Sequence, residues 1–174
     1  GRYRRRNGTP NPWPRPLPLE SAGALLFWPA PTLLLAWRSS MPATGSLPFQ
    51  LIEQLIDAGY IRGAYKGHIQ PSSLDLTLTD TCYAMPGSLL PRPGESIESI
   101  IASHNGTPHS LDAPLEVGRV YLVRLSEFVA FSPDLSATAS NKSSSGRINL
   151  RGRLLADGVA SFDELPRGYH GQLW

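Results

Sequence analysis

Cysteine is nearly absent from this chain of 174 residues, and the shortage excludes several kinds of site. The only cysteine is Cys82, so the chain forms no internal disulfide and no zinc cluster built on several thiolates. Zinc-dependent nucleobase deaminases need a His-x-Glu and a later Pro-Cys-x-x-Cys, which one cysteine does not supply. Because a free thiol is typical of a reducing compartment, we expect a cytoplasmic protein.

Motifs that mark several enzyme classes are also missing. The chain has no Gly-rich dinucleotide fingerprint, no phosphate loop ending in Gly-Lys-Ser/Thr and no Gly-x-Ser-x-Gly nucleophile elbow. Its four histidines include no i,i+4 metal-binding pair with an acid between them. Metal-dependent and covalent hydrolysis are therefore disfavoured, although a dispersed Ser/His/Asp triad stays open.

Charge is scarce and unevenly divided, since Asp, Glu, Lys and Arg make up 17% of the chain. Residues 1–40 contain six Arg against Glu20, whereas residues 41–174 contain ten Lys and Arg against thirteen Asp and Glu. The basic pI of 8.9 thus belongs to the first forty residues. A broad basic surface is not supported, and we expect no nucleic-acid partner.

Residues 1–40 differ from the rest of the chain in composition, holding seven of the seventeen prolines and three of the four tryptophans. Because closely spaced prolines prevent helix formation, we predict an unstructured or spurious Pro-, Trp- and Arg-rich extension. The apolar run over residues 22–37 leaves a targeting or membrane segment as the alternative. Pro29 and Pro31 interrupt this run and it is short for a membrane span, so no membrane partner is expected.

From Met41 onward the pattern is that of a globular domain, which we place at residues 41–174. An apolar stripe of period 3.6 that ends at Gly59 predicts a short amphipathic helix over residues 47–58. Short β-rich stretches separated by turn residues follow, at residues 73–79, 96–101, 120–125, 129–131, 137–139, 148–155 and 171–174. One helix and many short strands favour an antiparallel β-barrel or jelly-roll.

The densest chemical cluster in the chain lies at residues 141–147, with the sequence Asn-Lys-Ser-Ser-Ser-Gly-Arg. Arg offers a fork of donors to phosphate, Lys offers a point charge, and hydroxyls and backbone N–H groups complete the oxygen contacts. The same composition also fits a solvated polar loop. Composition alone leaves both interpretations open.

Three sequence blocks, in order, resemble the deoxycytidine triphosphate deaminase and deoxyuridine triphosphatase superfamily. The blocks are Ile-Gln-Pro-Ser-Ser-Leu-Asp-Leu at 69–76, Lys-Ser-Ser-Ser-Gly-Arg at 142–147 and Gly-Tyr-His-Gly-Gln-Leu-Trp at 168–174. The resemblance covers about residues 47–174 and is strongest to the longer bacterial deaminases with two such domains. It implies a mainly β, distorted β-barrel or jelly-roll of β-clip type with one short N-terminal helix.

The resemblance also implies the site. Members act as homotrimers with sites shared between subunits, and Mg²⁺ accompanies the substrate triphosphate without zinc. Ser143 matches the serine that places the attacking water and the leaving ammonia, and Arg147 matches the arginine beside the cytosine. The expected substrate-binding residues are Lys142, Ser143, Ser144, Ser145, Gly146, Arg147, Asp163 and Trp174.

Departures from the family pattern affect the sugar contact and the first motif. Pro166 stands where the family often has an Asp that contacts the sugar, and the nearby Asp163 is the candidate replacement. Thr77 and Thr79 replace an Arg and a Gly that are common after the first motif. Asp75 is expected to be structural, tying a strand end or a subunit contact.

Three functions remain open at this point. The first is hydrolytic deamination of dCTP to dUTP and ammonia, the second is diphosphatase action on dUTP, and the third is nucleotide binding without catalysis. The diphosphatase needs an Asp after a Gly-Val-Ile motif, which residues 158–163 match only loosely. Tyr169 is expected either in the core or against the ligand.

The resemblance carries one expectation about the end of the chain. In the family, the general base is a Glu about two positions beyond the residue that matches Trp174, on the same strand. We therefore expect the chain to be an incomplete domain that retains the phosphate-binding segment and has negligible deaminase activity.

Overall fold

The computed structural model describes residues 45–174, and in this range the chain is mainly β. The helices are α1 (Phe49–Asp57), α2 (Ile97–Ser103) and α3 (Ser143–Arg147). The strands are β1 (Ile61–Arg62), β2 (Ile69–Gln70), β3 (Ser73–Leu74), β4 (Leu78–Met85), β5 (Thr107–Pro108), β6 (Val120–Leu125), β7 (Phe128–Ala130), β8 (Ala137–Thr138), β9 (Glu164–Leu165) and β10 (His170–Gln172). The mainly β prediction is confirmed, and the predicted extension over residues 1–40 lies outside the described residues.

The strands lie in four small antiparallel sheets. Two sheets have three strands, in the orders β1-β7-β10 and β5-β4-β6, and the pairs β2-β3 and β8-β9 form the others. Strand β4 is the longest, and a register shift divides its pairing with β6 between Leu78 and Cys82. Within residues 45–174 these sheets do not close into a barrel.

Helix α1 lies inside the range that the sequence predicted. Its apolar stripe buries Ile52 and Leu55 against the fold. The helix stops because Gly59 takes a φ of 78°, a left-handed conformation that favours glycine. The Gly59 N–H then donates to the Ile56 carbonyl at 3.0 Å, which satisfies one of the free carbonyls at the helix end.

Helix α2 corrects the strand predicted for residues 96–101. The Ser96 hydroxyl accepts a hydrogen bond from the Ser99 N–H at 3.1 Å, which caps the helix, and Asp157 accepts from the Ile97 N–H at 2.7 Å. Ile97, Ile100 and Ile101 recur at i, i+3 and i+4, the spacing that places them on one buried face of a helix. The β-branched composition suggested a strand, but the cap and the burial pattern favour the helix.

The strand predicted for residues 148–155 is wrong as well. Ile148 and Leu150 are 73% and 45% exposed, in an irregular segment after α3. Only its end is buried, where the backbone N–H and carbonyl of Leu155 pair with those of Trp174 at 2.9 and 3.0 Å. The predicted strand is thus a surface loop that leads into two core residues.

The main core cluster joins α2, the β4–β6 sheet and the end of the chain. Its buried members are Met85, Ile97, Ile100, Ile101, Leu122, Leu155 and Trp174. Partly buried side chains surround this cluster: Tyr83, Leu89, Val120 and Phe162. Burial of this apolar surface is the main stabilising contribution to this part of the fold.

Candidate functional site

The segment of residues 141–152 contains the predicted phosphate-binding residues. Its helix α3 spans five residues, buries none of them and has no side-chain cap at Lys142, the residue that precedes it. Such a short helix is not stable by itself. The contacts of the flanking residues therefore fix where its hydroxyls and cations lie.

Four cations lie between residues 142 and 153, and two of them have acidic partners. The Lys142 ammonium lies 2.7 Å from Asp75, and the Arg153 guanidinium lies 2.7 Å from Asp163. Arg147 and Arg151 form no ion pair within residues 45–174, and both are exposed. The surface around α3 therefore carries uncompensated positive charge, as an anion site requires.

Asp75, which the sequence assigned to a structural role, orients the first of these cations. Its carboxylate accepts from Lys142 and also from the Gln70 amide at 3.2 Å, and its backbone N–H donates to the His68 carbonyl at 3.0 Å. The hydrogen bond from Lys142 lowers the pKa of the Asp75 carboxyl. The first sequence block is thus joined to the second by a charged contact.

Asp163, the predicted sugar contact, has both carboxylate oxygens engaged. One oxygen accepts from the Leu154 N–H at 2.8 Å and the other contacts Arg153. The residue has a φ of 64°, and its carbonyl accepts from the Ala139 N–H at 2.8 Å. Asp163 therefore ties the strands before and after α3 together, and its contact with substrate stays a prediction.

The third sequence block is explained by the packing of Tyr169. This side chain is 8% exposed, and its hydroxyl accepts from the Asp157 N–H at 3.0 Å and donates to the Gln172 carbonyl at 3.1 Å. A Cβ at Gly171 would lie 2.4 Å from that hydroxyl, so only glycine leaves room for it. Burial raises the pKa of Tyr169 to about 12. Of the two roles expected for Tyr169, the structure places it in the core.

Trp174 lies in the core cluster at 6% exposure, away from solvent. Its backbone extends the pairing with Leu155, and the neighbouring Leu173 carbonyl accepts from the Leu125 N–H at 3.0 Å. The structure thus gives the tryptophan a packing role, and its predicted substrate contact stays a prediction.

A buried carboxylate that sequence analysis did not single out lies beneath the first block. Glu127 is fully buried, and both of its carboxylate oxygens lie 3.1 Å from the backbone N–H of Thr77. The Thr77 hydroxyl in turn lies 3.3 Å from His68 Nδ1. Thr77 therefore links buried Glu127 to the segment that holds Asp75. Residues 50 positions apart give no local sequence signal for such a contact.

The Asn141 side chain was also missed as a functional candidate. Its amide nitrogen donates to the Leu150 carbonyl at 3.0 Å, and its amide oxygen accepts from the Gly152 N–H at 3.2 Å. One side chain therefore closes the loop that contains α3. Its position directly before the Lys-Ser-Ser block was the only signal available.

A second surface feature is a cleft of 330 Å³ at the end of α2, lined in part by Arg92, Glu95, Ser103 and His104. His104 Nδ1 lies 3.0 Å from the Ser103 hydroxyl, but both groups contact the Ile100 carbonyl, at 3.1 and 3.2 Å. These contacts satisfy the helix end, as capping groups do. The pair is therefore a structural cap.

The described residues offer no protein cage for a metal ion, since residues 45–174 contain no group of three His, Cys, Asp or Glu side chains suited to one. Cys82 is buried on β4, where burial raises the pKa of its thiol. None of the helices described in this range is long and apolar enough to cross a membrane.

Comparison with known proteins identifies the family. Residues 43–174 match the family model of the 2'-deoxycytidine 5'-triphosphate deaminase (DCD) N-terminal domain. The chain is also similar to the crystal structure of 2'-deoxycytidine 5'-triphosphate deaminase from Agrobacterium tumefaciens, with 33% identity and a TM-score of 0.71. A search of curated proteins found no match.

The chain therefore belongs to the family of the dCTP deaminase N-terminal domain, and the predicted family resemblance is confirmed. The structural match covers 76% of this chain and 40% of the Agrobacterium protein's chain. The chain thus spans less than half the length of that relative.

Proposed function

We propose that the segment of residues 141–152 binds the triphosphate of dCTP, and that the reaction served is hydrolytic deamination of dCTP to dUTP and ammonia. The observation that carries the proposal is that Arg147 is exposed, has no ion-pair partner among residues 45–174 and follows three serines on a segment matched by this family's model. The other residues proposed to bind the triphosphate directly precede it in the sequence: Lys142, Ser143, Ser144, Ser145 and Gly146.

The triphosphate is the part of the substrate that this surface fits best. Because Arg147 forms no ion pair within residues 45–174, one edge of its guanidinium can contact phosphate oxygens and the other can reach the base, while Lys142 shares its ammonium between Asp75 and the ligand. An exposed ion pair contributes little to stability, so a multiply charged anion competes with Asp75 for Lys142. Mg²⁺ enters as part of the substrate, bound to the triphosphate.

The chemistry at the cytosine end depends on water activation. Ser143 places the attacking water and the departing ammonia, and Arg147 lies beside the base. A carboxylate, not zinc, takes a proton from the water as the water oxygen bonds to C4 of the cytosine, and the same group returns the proton to the amino nitrogen, so that the C–N bond breaks and ammonia leaves. Asp163 is a poor candidate for this base because Leu154 and Arg153 already occupy its oxygens.

The assembly proposed for this domain is a homotrimer in the cytoplasm. Ile148 and Leu150 lie exposed beside α3, and such apolar side chains favour contact with another subunit. The site would then be completed by a second copy of the chain.

Calorimetric titration of the 174-residue chain with dCTP and Mg²⁺ tests the binding part of this proposal. We expect Lys142→Ala and Arg147→Ala each to weaken binding by about 1–3 kcal/mol, the contribution of a hydrogen bond to a charged group. Lys66→Ala is the matched control, because it removes another exposed cation held by Asp57. Parent-like affinity in both test variants would contradict the proposal.

Chromatography of the reaction products tests the reaction. Formation of dUTP with release of ammonia supports the deaminase. Formation of dUMP and diphosphate from dUTP would assign the diphosphatase reaction instead. Binding of dCTP without turnover would limit the 174-residue chain to nucleotide binding.

A further inference from the structure

We propose that Asn141 is a positioning residue for nucleotide binding, because its side-chain amide holds together the two ends of the segment that contains α3. This inference rests on the proposed function for the identity of the ligand. The Asn141 amide and its two backbone partners at residues 150 and 152 are called the clip below.

The clip is the contact that closes the segment on itself. The Asn141 amide nitrogen donates to the Leu150 carbonyl at 3.0 Å, and its oxygen accepts from the Gly152 N–H at 3.2 Å. A primary amide offers both a donor and an acceptor, so one side chain satisfies two backbone groups. All six residues of the Lys-Ser-Ser-Ser-Gly-Arg block lie inside the closed loop.

The segment needs such a contact because nothing in it is buried. Helix α3 buries no residue, and Ile148, Asn149 and Leu150 are exposed. Asn149 has a φ of 56°, so the chain turns sharply between the helix and the second half of the clip. A binding surface whose groups are held in place before the ligand arrives loses less conformational entropy on binding.

Gly152 gives an independent way to disturb the clip. A Cβ built at this residue would lie 2.8 Å from Asn141 Oδ1, and among residues 45–174 the only other atom within 4 Å would be Asn141 Cγ. Gly152→Ala therefore displaces the Asn141 amide without touching any cation or hydroxyl of the block. Gly87→Ala is the matched control, since its Cβ would meet no atom of the described part of the chain within 4 Å.

Two measurements on the 174-residue chain test the proposal. Calorimetry with dCTP and Mg²⁺ should show affinity reduced about 5- to 30-fold in Asn141→Ala, since two hydrogen bonds of ordinary strength are lost. Gly152→Ala should act in the same direction, and the double variant should bind no worse than Asn141→Ala. Gly87→Ala should bind like the parent.

Hydrogen exchange read by mass spectrometry provides the second measurement. We expect faster exchange at residues 143–150 in both clip variants and unchanged exchange in the core cluster, with the same denaturant midpoint as the parent. Unchanged exchange in this segment would overturn the proposal. A merely structural role would lower the denaturant midpoint instead.

The outcomes separate this inference from the proposed function. If Lys142→Ala weakens dCTP binding while Asn141→Ala and Gly152→Ala do not, the clip is overturned and the phosphate site stands. If the parent does not bind dCTP, the proposed function fails. Exchange at residues 143–150 then decides by itself whether the clip positions the segment.

Discussion

Helix α2 buries Ile97, Ile100 and Ile101 in the core, whereas α3 buries no residue at all. The N-terminus of α2 is capped by the Ser96 hydroxyl, and the Asp157 carboxylate also accepts from its first N–H group. No side chain caps the N-terminus of α3. Apolar burial therefore fixes α2, and polar contacts of flanking residues fix α3. The candidate site thus lies in a segment whose residues can be substituted without removing any side chain from the core.

The largest expected effect is a difference in the free energy of unfolding between two matched isoleucine substitutions, one in α2 and one beside α3. Ile97→Ala should lower the free energy of unfolding by about 2–5 kcal/mol, because it leaves a cavity at a side chain with no exposure. Ile148→Ala removes the same atoms from a side chain that is 73% exposed and should change stability by less than about 0.5 kcal/mol. Urea unfolding of the two variants provides the measurement, and equal losses would contradict the comparison.

The next effect concerns pH and Tyr169. Burial raises the folded-state pKa of this phenol to about 12, above its ordinary value of 10.0, so folding favours the neutral form. The stabilisation is complete below pH 10 and is lost as pH rises toward 12. The loss amounts to about 2–3 kcal/mol.

Tyr169→Phe supplies the control for the pH effect, because it cannot ionise. The parent should lose more stability than this variant between pH 10 and pH 12. Parallel stability curves for the two proteins would show that the phenol ionises as freely in the fold as in the unfolded chain.

Substitutions of Asp163 test whether this residue, which joins the α3 segment to the core through Leu154, has a structural role. Asp163→Ala should cost about 2 kcal/mol, since it removes a charged acceptor from the Leu154 N–H and strains a left-handed backbone. Asp163→Asn keeps an acceptor and tolerates that backbone, so it should cost less. Thermal unfolding measures both, with dCTP titration of Asp163→Asn alongside. A stable Asn variant that loses affinity would favour the predicted sugar contact.

The smallest effect is expected at the cap of α2. Ser96→Ala removes the acceptor for the Ser99 N–H and should cost about 1 kcal/mol. Ser99→Ala is the control, because the Ser99 backbone N–H remains and only its exposed hydroxyl is lost. Chemical denaturation of both variants would show whether the cap contributes as proposed.

Sequence reasoning predicted the parts of the fold that depend on near neighbours. The range of α1 follows from a repeating apolar stripe and a stopping glycine, both of which are visible locally. The strand predicted at residues 96–101 is a helix because its isoleucines are spaced i, i+3, i+4 and Ser96 caps it, which outweighs the β-preference of isoleucine. The strand predicted at residues 148–155 failed because Ile148 and Leu150 are exposed and only Leu154 and Leu155 at its end reach the core.

In the candidate site as well, residues contiguous in sequence were predicted, whereas partners that lie far along the chain were not. The Lys-Ser-Ser block was recognised because its residues are contiguous and resemble a family. The partners Asp75 and Glu127 were not assigned their contacts, since each lies far along the chain from the group it holds. Only the folded backbone brings such groups together.

Strand β7 carries a consequence for the order of folding. Val129 pairs with Ile61 on one side and with Gly171 on the other, so β7 joins segments that are distant in sequence. Each pairing closes a long loop, and that entropy must be lost before the pairing stabilises the chain. Hydrogen bonds within helix α1 join near neighbours and can form within microseconds, although packing of Ile52 and Leu55 is needed to keep the nine-residue helix stable. We therefore expect the sheet around β7 to assemble late and the chain to refold in milliseconds to seconds, as non-local strand pairing favours.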